Sequence, residues 1–153
     1  MPNYRTTVLI PVPLDLTFNY IRDFQHAENW DPRVSAARRL DGGGDNGVGA
    51  RFELDSPGPL FTTLRFVYEL VRCVPDERLT FRGQTCFASY EDDLRFEALD
   101  PSTTQLRYEA QFDLRGVLWL GTPIMSVLFQ RIGSAATAGI PSAVVHGTGR
   151  SSE

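Results

Sequence analysis

From residue 61 to residue 114, apolar and polar side chains alternate with a period of two, and no other feature narrows the accessible folds as much. Leu64, Phe66, Tyr68 and Leu70 fall on one side of an extended chain, Arg65 and Glu69 on the other. Leu94 and Phe96 alternate with Arg95 and Glu97. Leu106, Tyr108, Ala110, Phe112 and Leu114 alternate with Arg107, Glu109, Gln111 and Asp113. This is the pattern of antiparallel strands with one buried and one wet face. Turn residues divide the stretch into four predicted strands, Phe61–Cys73, Arg78–Gly83, Phe87–Ala98 and Thr104–Leu114. A turn at Pro75–Asp76 places Leu70 opposite Phe81 and Arg72 opposite Leu79, so that facing residues share a face.

The flanking segments complete the sheet and give it a cover. Thr6–Ile10 is a β-branched run ended by Pro11 and Pro13, and reads as a first strand. Leu14–Phe24 reads as a helix with Leu14, Phe18, Ile21 and Phe24 on one face. Asp23 caps a second short helix through Asn29, which Trp30-Asp31-Pro32 ends. Val34–Leu40 and Val48–Asp55 read as strands joined by the loop 41–47. Gly42, Gly44 and Gly47 in that loop match G-x-G-x-x-G in form only. A strand follows instead of a helix, and Asp45 would repel a pyrophosphate. Leu118–Gly139 then reads as one long amphipathic helix. Thr122 is its cap, Pro123 its first residue, and Ile124, Met125, Leu128, Phe129 and Ile132 form its apolar stripe. Gly139 is expected as a left-handed C-cap and Pro141 as the stop. The expected fold is α+β: a curved seven-stranded antiparallel sheet around a long C-terminal helix, with two short helices between strands 1 and 2. Residues 1–145 read as one domain and 146–153 as a disordered tail.

Charge and cysteine usage limit the function classes. A formal net charge of −4 without a basic run argues against a nucleic-acid partner. No apolar run approaches the ~20 residues of a membrane span, and MPNYRTTV lacks the blocks of a signal peptide. The expected location is cytoplasmic. Cys73, read as lying near Arg78, and Cys86 stand about 25 Å apart on the predicted hairpin, too far for a disulfide. Two sulfurs with His26 and His146 make a poor zinc-ligand set, so neither a metal nor a cofactor is expected.

Several short motifs carry a family likeness: Ile10-Pro-Val-Pro, Phe18, Trp30-Asp31-Pro32-Arg33-Val34, and Gly47-Val48-Gly49 after a glycine loop. With these, the chain resembles the START/polyketide-cyclase/Bet v 1-like (SRPBCC) superfamily of helix-grip proteins. Glu91-Asp92-Asp93-Leu94-Arg95-Phe96 and Leu106-Arg107-Tyr108-Glu109-Ala110 resemble its bacterial polyketide cyclase/dehydrase branch. The resemblance implies an apolar cavity between the sheet and the last helix. It does not imply one chemistry, because members bind lipids, hormones or polyketides and some are enzymes.

The inward positions supply the candidate site. Phe52, Phe66, Phe81, Phe96, Phe112, Met125 and Phe129 either line a pocket or fill a core. Tyr68, Tyr90 and Tyr108 also point inward, and each phenol is either tied to the protein or free for a ligand. Asp92 is the one candidate catalytic residue. Alternation with Leu94 and Phe96 turns it inward, where desolvation would raise its pKa; a bulge or strand end would instead let it reach water. Arg38 is a candidate to neutralise it. His26 reads as a helix-end residue or a proton shuttle, and Trp30 and Trp119 as core plugs or ring caps. No Ser–His–Asp arrangement or nucleophile elbow exists. The preferred expectation is binding of a hydrophobic or aromatic small molecule, lipid or polyketide-like. A cyclase/dehydratase using Asp92 and a tyrosine is the alternative, and a protein-interaction module without ligand the second. A homodimer is left open.

Overall fold

A computed structural model describes residues 3–31, 34–40, 47–57, 59–85, 88–114 and 139–148. In order they are β1 (Asn3–Ile10), α1 (Leu14–Arg22), a 3-10 turn (Phe24–His26), α2 (Ala27–Trp30), β2 (Ala36–Arg39), β3 (Arg51–Pro57), a second 3-10 turn (Pro59–Phe61), β4 (Thr63–Val74), β5 (Arg78–Gln84), β6 (Ala88–Asp100), β7 (Thr103–Leu114) and α3 (Ile140–Gly147). The strands form one seven-stranded sheet in the order β1-β7-β6-β5-β4-β3-β2, with every pair antiparallel. The helices gather on its inner face. Phe18, Ile21, Phe24, Trp30, Ile140 and Val144 join Ile10, Val12, Phe52, Leu70, Leu79, Phe81, Leu94 and Leu106 in one core.

The alternation produces this sheet directly, apart from a slip at the β6–β7 turn between Ala98 and Asp100 and a more telling one in β4. Leu70 faces Phe81, as the sequence requires, but Arg72 faces Thr80 and Cys73 faces Leu79. The register shifts by one between Leu70 and Arg72. Strict alternation would turn Arg72 onto the core face opposite Leu79, at the cost of burying a charge. The extra residue turns Arg72 to solvent and Cys73 inward, which corrects both the expected Arg72–Leu79 pair and the placement of Cys73 beside Arg78. The hairpin itself turns where Pro75–Asp76 indicates, with Asp76 at φ 60°.

The C-terminal helix departs from expectation. Residues 115–138, which hold most of the expected Leu118–Gly139 helix, lie outside the described residues. Gly139 is not a left-handed cap: its φ is −82° and it opens α3. Pro141 stands in the first turn of α3, where a missing N–H costs nothing, so it starts a helix where it was expected to stop one. Gly139 is there for space, because an added Cβ would run into the Trp30 carbonyl. His146 and Gly147, read as the start of a tail, are the last turn of α3. Gly147 lets that turn lie on the Tyr20 ring. No helix among the described residues is long and apolar enough to cross a membrane.

Candidate functional site

Three adjacent acidic residues on β6 separate as the pleat dictates. Glu91 faces outward to Arg82, 2.7 Å away. Asp93 also faces outward and accepts from Arg78 at 2.8 and 3.0 Å, from Thr80 at 2.9 Å and from Arg95 at 3.2 Å. Burial alone would raise the Asp93 carboxyl, but these donors outweigh it and hold the group below the usual range. Asp92, between them, points inward beside Phe81 and Ala110 in the ladder and is 7% exposed. No bulge or strand end carries it to water.

The Asp92 carboxyl has one hydrogen-bond donor among the described residues, the Tyr108 hydroxyl, at 2.5 Å. Burial pushes the group from the usual carboxylate range up to about 7; the Tyr108 bond opposes the shift, and the charges of Asp31 and Glu91 add to it. The Tyr108 and Tyr68 phenols are raised well above their ordinary value, first by burial and then by the Asp92 charge. Arg38 does not neutralise Asp92. It pairs across β2 and β3 with Glu53 at 2.5 Å and Asp55 at 2.9 Å, on the outer face. The alternation of the short β2 strand sends it there, in register with Glu53.

The three inward tyrosines have different fates. Tyr90 crosses β5 and donates to the Val67 carbonyl at 2.8 Å while accepting from the Val67 N–H at 3.0 Å. The β4–β5 ladder ends at Glu69 and Arg82, so this phenol satisfies backbone groups that have lost their strand partner. Tyr108 is tied to Asp92. The Tyr68 hydroxyl has no hydrogen-bond partner among the described residues, although its ring lies 4.7 Å from that of Tyr90 and 5.2 Å from that of Phe24.

Gly83 makes the Tyr90 crossing feasible. It faces Tyr90 in the ladder, and a Cβ there would strike both the Tyr90 ring and the Val67 carbonyl. Gly83→Ala is therefore expected to displace the ring and destabilise the fold by about 1–3 kcal/mol through overpacking alone. Urea unfolding measures the loss, and unchanged stability would show that the ring does not occupy that place.

The inner-face aromatics divide into two groups. Phe24 stacks on Phe81 at 4.1 Å and meets Phe52 edge-on at 6.2 Å, and Phe18 meets Phe96 edge-on at 5.2 Å. Phe52 and Phe81 are fully buried and Phe96 is 7% exposed, so these three stand in packed core. Phe66, Tyr68 and Phe112 are half-buried around Tyr90, with Phe66 at 5.6 Å and Phe112 at 6.2 Å from its ring. Asp92 and Tyr108 lie between the groups. Met125, Phe129 and Trp119 fall outside the described residues. Trp30 is buried against Phe24 and Tyr108, as a packing residue. His26 stacks on Tyr20 at 4.0 Å with its Nδ1 2.7 Å from the Tyr20 carbonyl, a helix-end contact.

Sequence reasoning missed Asp31, whose charge acts on Asp92, Tyr68 and Tyr108 together. Its only signal was its place in Trp30-Asp31-Pro32, where it reads as a helix end.

The family model described as polyketide cyclase / dehydrase and lipid transport matches residues 1–143. No curated protein matches the chain. Among solved structures, a protein of Thermus thermophilus is similar with a TM-score of 0.76 at 17% identity, over 95% of this chain and 99% of that one. A START superfamily protein from Mycobacterium smegmatis has a TM-score of 0.76 at 14% identity, covering 94% and 97%. The Zhui aromatase/cyclase from Streptomyces has a TM-score of 0.69 at 16% identity, covering 96% and 93%. At these identities the likeness is one of fold.

Proposed function

The chain belongs to the polyketide cyclase / dehydrase and lipid transport family, and on that premise we propose that its inner face binds a hydrophobic or aromatic small molecule, lipid or polyketide-like. The ligand lies against Phe66, Tyr68, Tyr90 and Phe112. Affinity comes from apolar area removed from water, and orientation from a few polar groups. The observation that carries this reading is a Tyr68 hydroxyl without a partner among the described residues, on a half-buried aromatic wall next to a buried carboxyl–phenol pair. A ligand with an oxygen acceptor on this wall would take a bond from that hydroxyl.

A second reading adds turnover. An Asp92 carboxyl that titrates near 7 suits either proton donation or proton abstraction at neutral pH. A cyclase or dehydratase needs that, plus a surface that holds a flexible chain in a reactive shape. Asp92→Asn separates the two readings, since it keeps an acceptor for Tyr108 but cannot exchange a proton. Loss of turnover with retained binding supports the enzyme.

The binding reading is tested by native mass spectrometry of freshly purified protein and by calorimetric titration with emodin, a hydroxylated anthraquinone, and with oleate. A co-purified adduct or stoichiometric binding of either probe is expected. Tyr68→Phe should weaken emodin by about tenfold, the worth of one hydrogen bond, without changing stability. A bare chain that binds neither probe would overturn the reading in favour of a protein-interaction module.

A further inference from the structure

The outer face carries a second feature that the inner-face site does not use. Arg78, Arg95 and Arg107 stand side by side in one row across β5, β6 and β7, because the ladder sets Arg78 opposite Arg95 and Arg95 opposite Arg107. Thr7 of β1 ends the row opposite Arg107. Like charges directly opposite one another in an antiparallel pair are destabilising. A sheet that sets three in line needs counter-charge.

The described residues supply only part of it. Asp93 takes both Nε and a terminal nitrogen of Arg78, and Nε of Arg95. Arg5 turns to Glu109, 3.0 Å away. The terminal nitrogens of Arg95 donate to no acceptor among the described residues, and Arg107 has no ion-pair partner among them. These groups surround a groove of about 410 Å³, lined by Arg5, Thr7, Asp93, Arg95, Arg107 and Glu109 among others. Among the described residues, three arginines and two carboxylates thus face one concavity, on a chain whose net charge is −4. Glu97, two residues along β6 on the same side, faces Gln105 and does not line it.

We propose that this outer-face groove binds a phosphate-type oxyanion, free or as the monoester of a small molecule, between the Arg95 and Arg107 guanidinium groups with the Thr7 hydroxyl beside them. Two planar guanidiniums offer paired N–H donors that match a tetrahedral oxyanion. Asp93 and Glu109 hold Arg95 and Arg5 in place and limit the charge, so the site takes one anion and does not attract polyanions. Because Arg95 is largely exposed, the affinity is weak and depends on salt.

The test is an NMR titration of the arginine Nε–Hε resonances in the full chain, with sodium phosphate and with glycerol phosphate, at ionic strength held constant by sodium chloride. Saturable shifts at Arg95 and Arg107 are expected, with Arg82 unaffected because it pairs with Glu91 two rows away, beyond Thr80 and Asp93. Tighter binding of glycerol phosphate would assign the groove to a monoester, and equal binding to the free ion. Arg107→Gln should weaken either by about tenfold or more, with the folded spectrum otherwise retained. Shifts that chloride reproduces, that never saturate, or that survive Arg107→Gln unchanged would overturn the proposal.

Discussion

Asp92→Asn is expected to stabilise the protein at pH 8 while leaving it unchanged near pH 4. In the unfolded chain the carboxyl ionises with a pKa near the ordinary 3.8, whereas in the fold burial raises it to about 7. Between those values the native state holds a proton that the unfolded state has lost. The stability due to this group is therefore complete below pH 4 and falls as pH rises, until the native pKa is passed. Each pKa unit is worth about 1.4 kcal/mol, so the full penalty at pH 8 is at most roughly 4–5 kcal/mol. Asparagine has no charge to bury and still offers Tyr108 an acceptor. Urea unfolding of both proteins from pH 4.5 to 8 measures the effect. Asp93 and the other paired carboxylates contribute the opposite slope, but they are common to both proteins and cancel in the difference. Parallel stability curves would contradict the account. A functional group held at the expense of stability is what a ligand-binding or proton-transferring role would preserve.

Phe81→Ala should have the largest destabilising effect, about 3–5 kcal/mol, with a fall in Tm of roughly 10 °C. Its ring is fully buried, stacked on Phe24 and edge-on to Phe52 at 6.1 Å. It therefore ties the segment after α1 to the centre of the sheet. Phe81 also faces Asp92 in the ladder, so the space left by its ring opens beside a carboxyl. A polar group can hold water in such a space. Hydration would then lower the Asp92 pKa and relieve part of its charge penalty. The loss should accordingly be smaller at pH 8 than at pH 5, which unfolding at both values resolves. A cost that does not vary with pH would mean that the new space stays dry.

The parts of this arrangement that depend on period were legible in the sequence, and those that depend on distant approach were not. Parity with Leu94 and Phe96 was enough to turn Asp92 inward and to separate it from Glu91 and Asp93. Capping chemistry was enough for Asp23, whose carboxylate accepts from the Gln25 N–H at 3.2 Å. The bulge before Arg72 had no local marker, since its cause is a charge that would otherwise face Leu79. Gly139 looked like a cap because glycine serves both left-handed backbone and close contact, and only the Trp30 carbonyl decides between them. The bond from Tyr90 to Val67 joins residues 23 positions apart through a glycine on a third strand. No pattern within β6 encodes it. Arg38 was assigned to the wrong carboxylate because the facing of a four-residue strand is set by its partner, Glu53, more than by its own sequence.

The proposed binding rests on a desolvated Asp92–Tyr108 pair at the floor of the face that receives the apolar ligand. Carbon-13 NMR of the aspartate carboxyls, titrated with and without emodin, tests both halves at once. One carboxyl is expected to have a pKa of about 7, absent in Asp92→Asn and shifted by the probe. An Asp92 that titrates with the ordinary aspartates, or that does not respond to the probe, would contradict it.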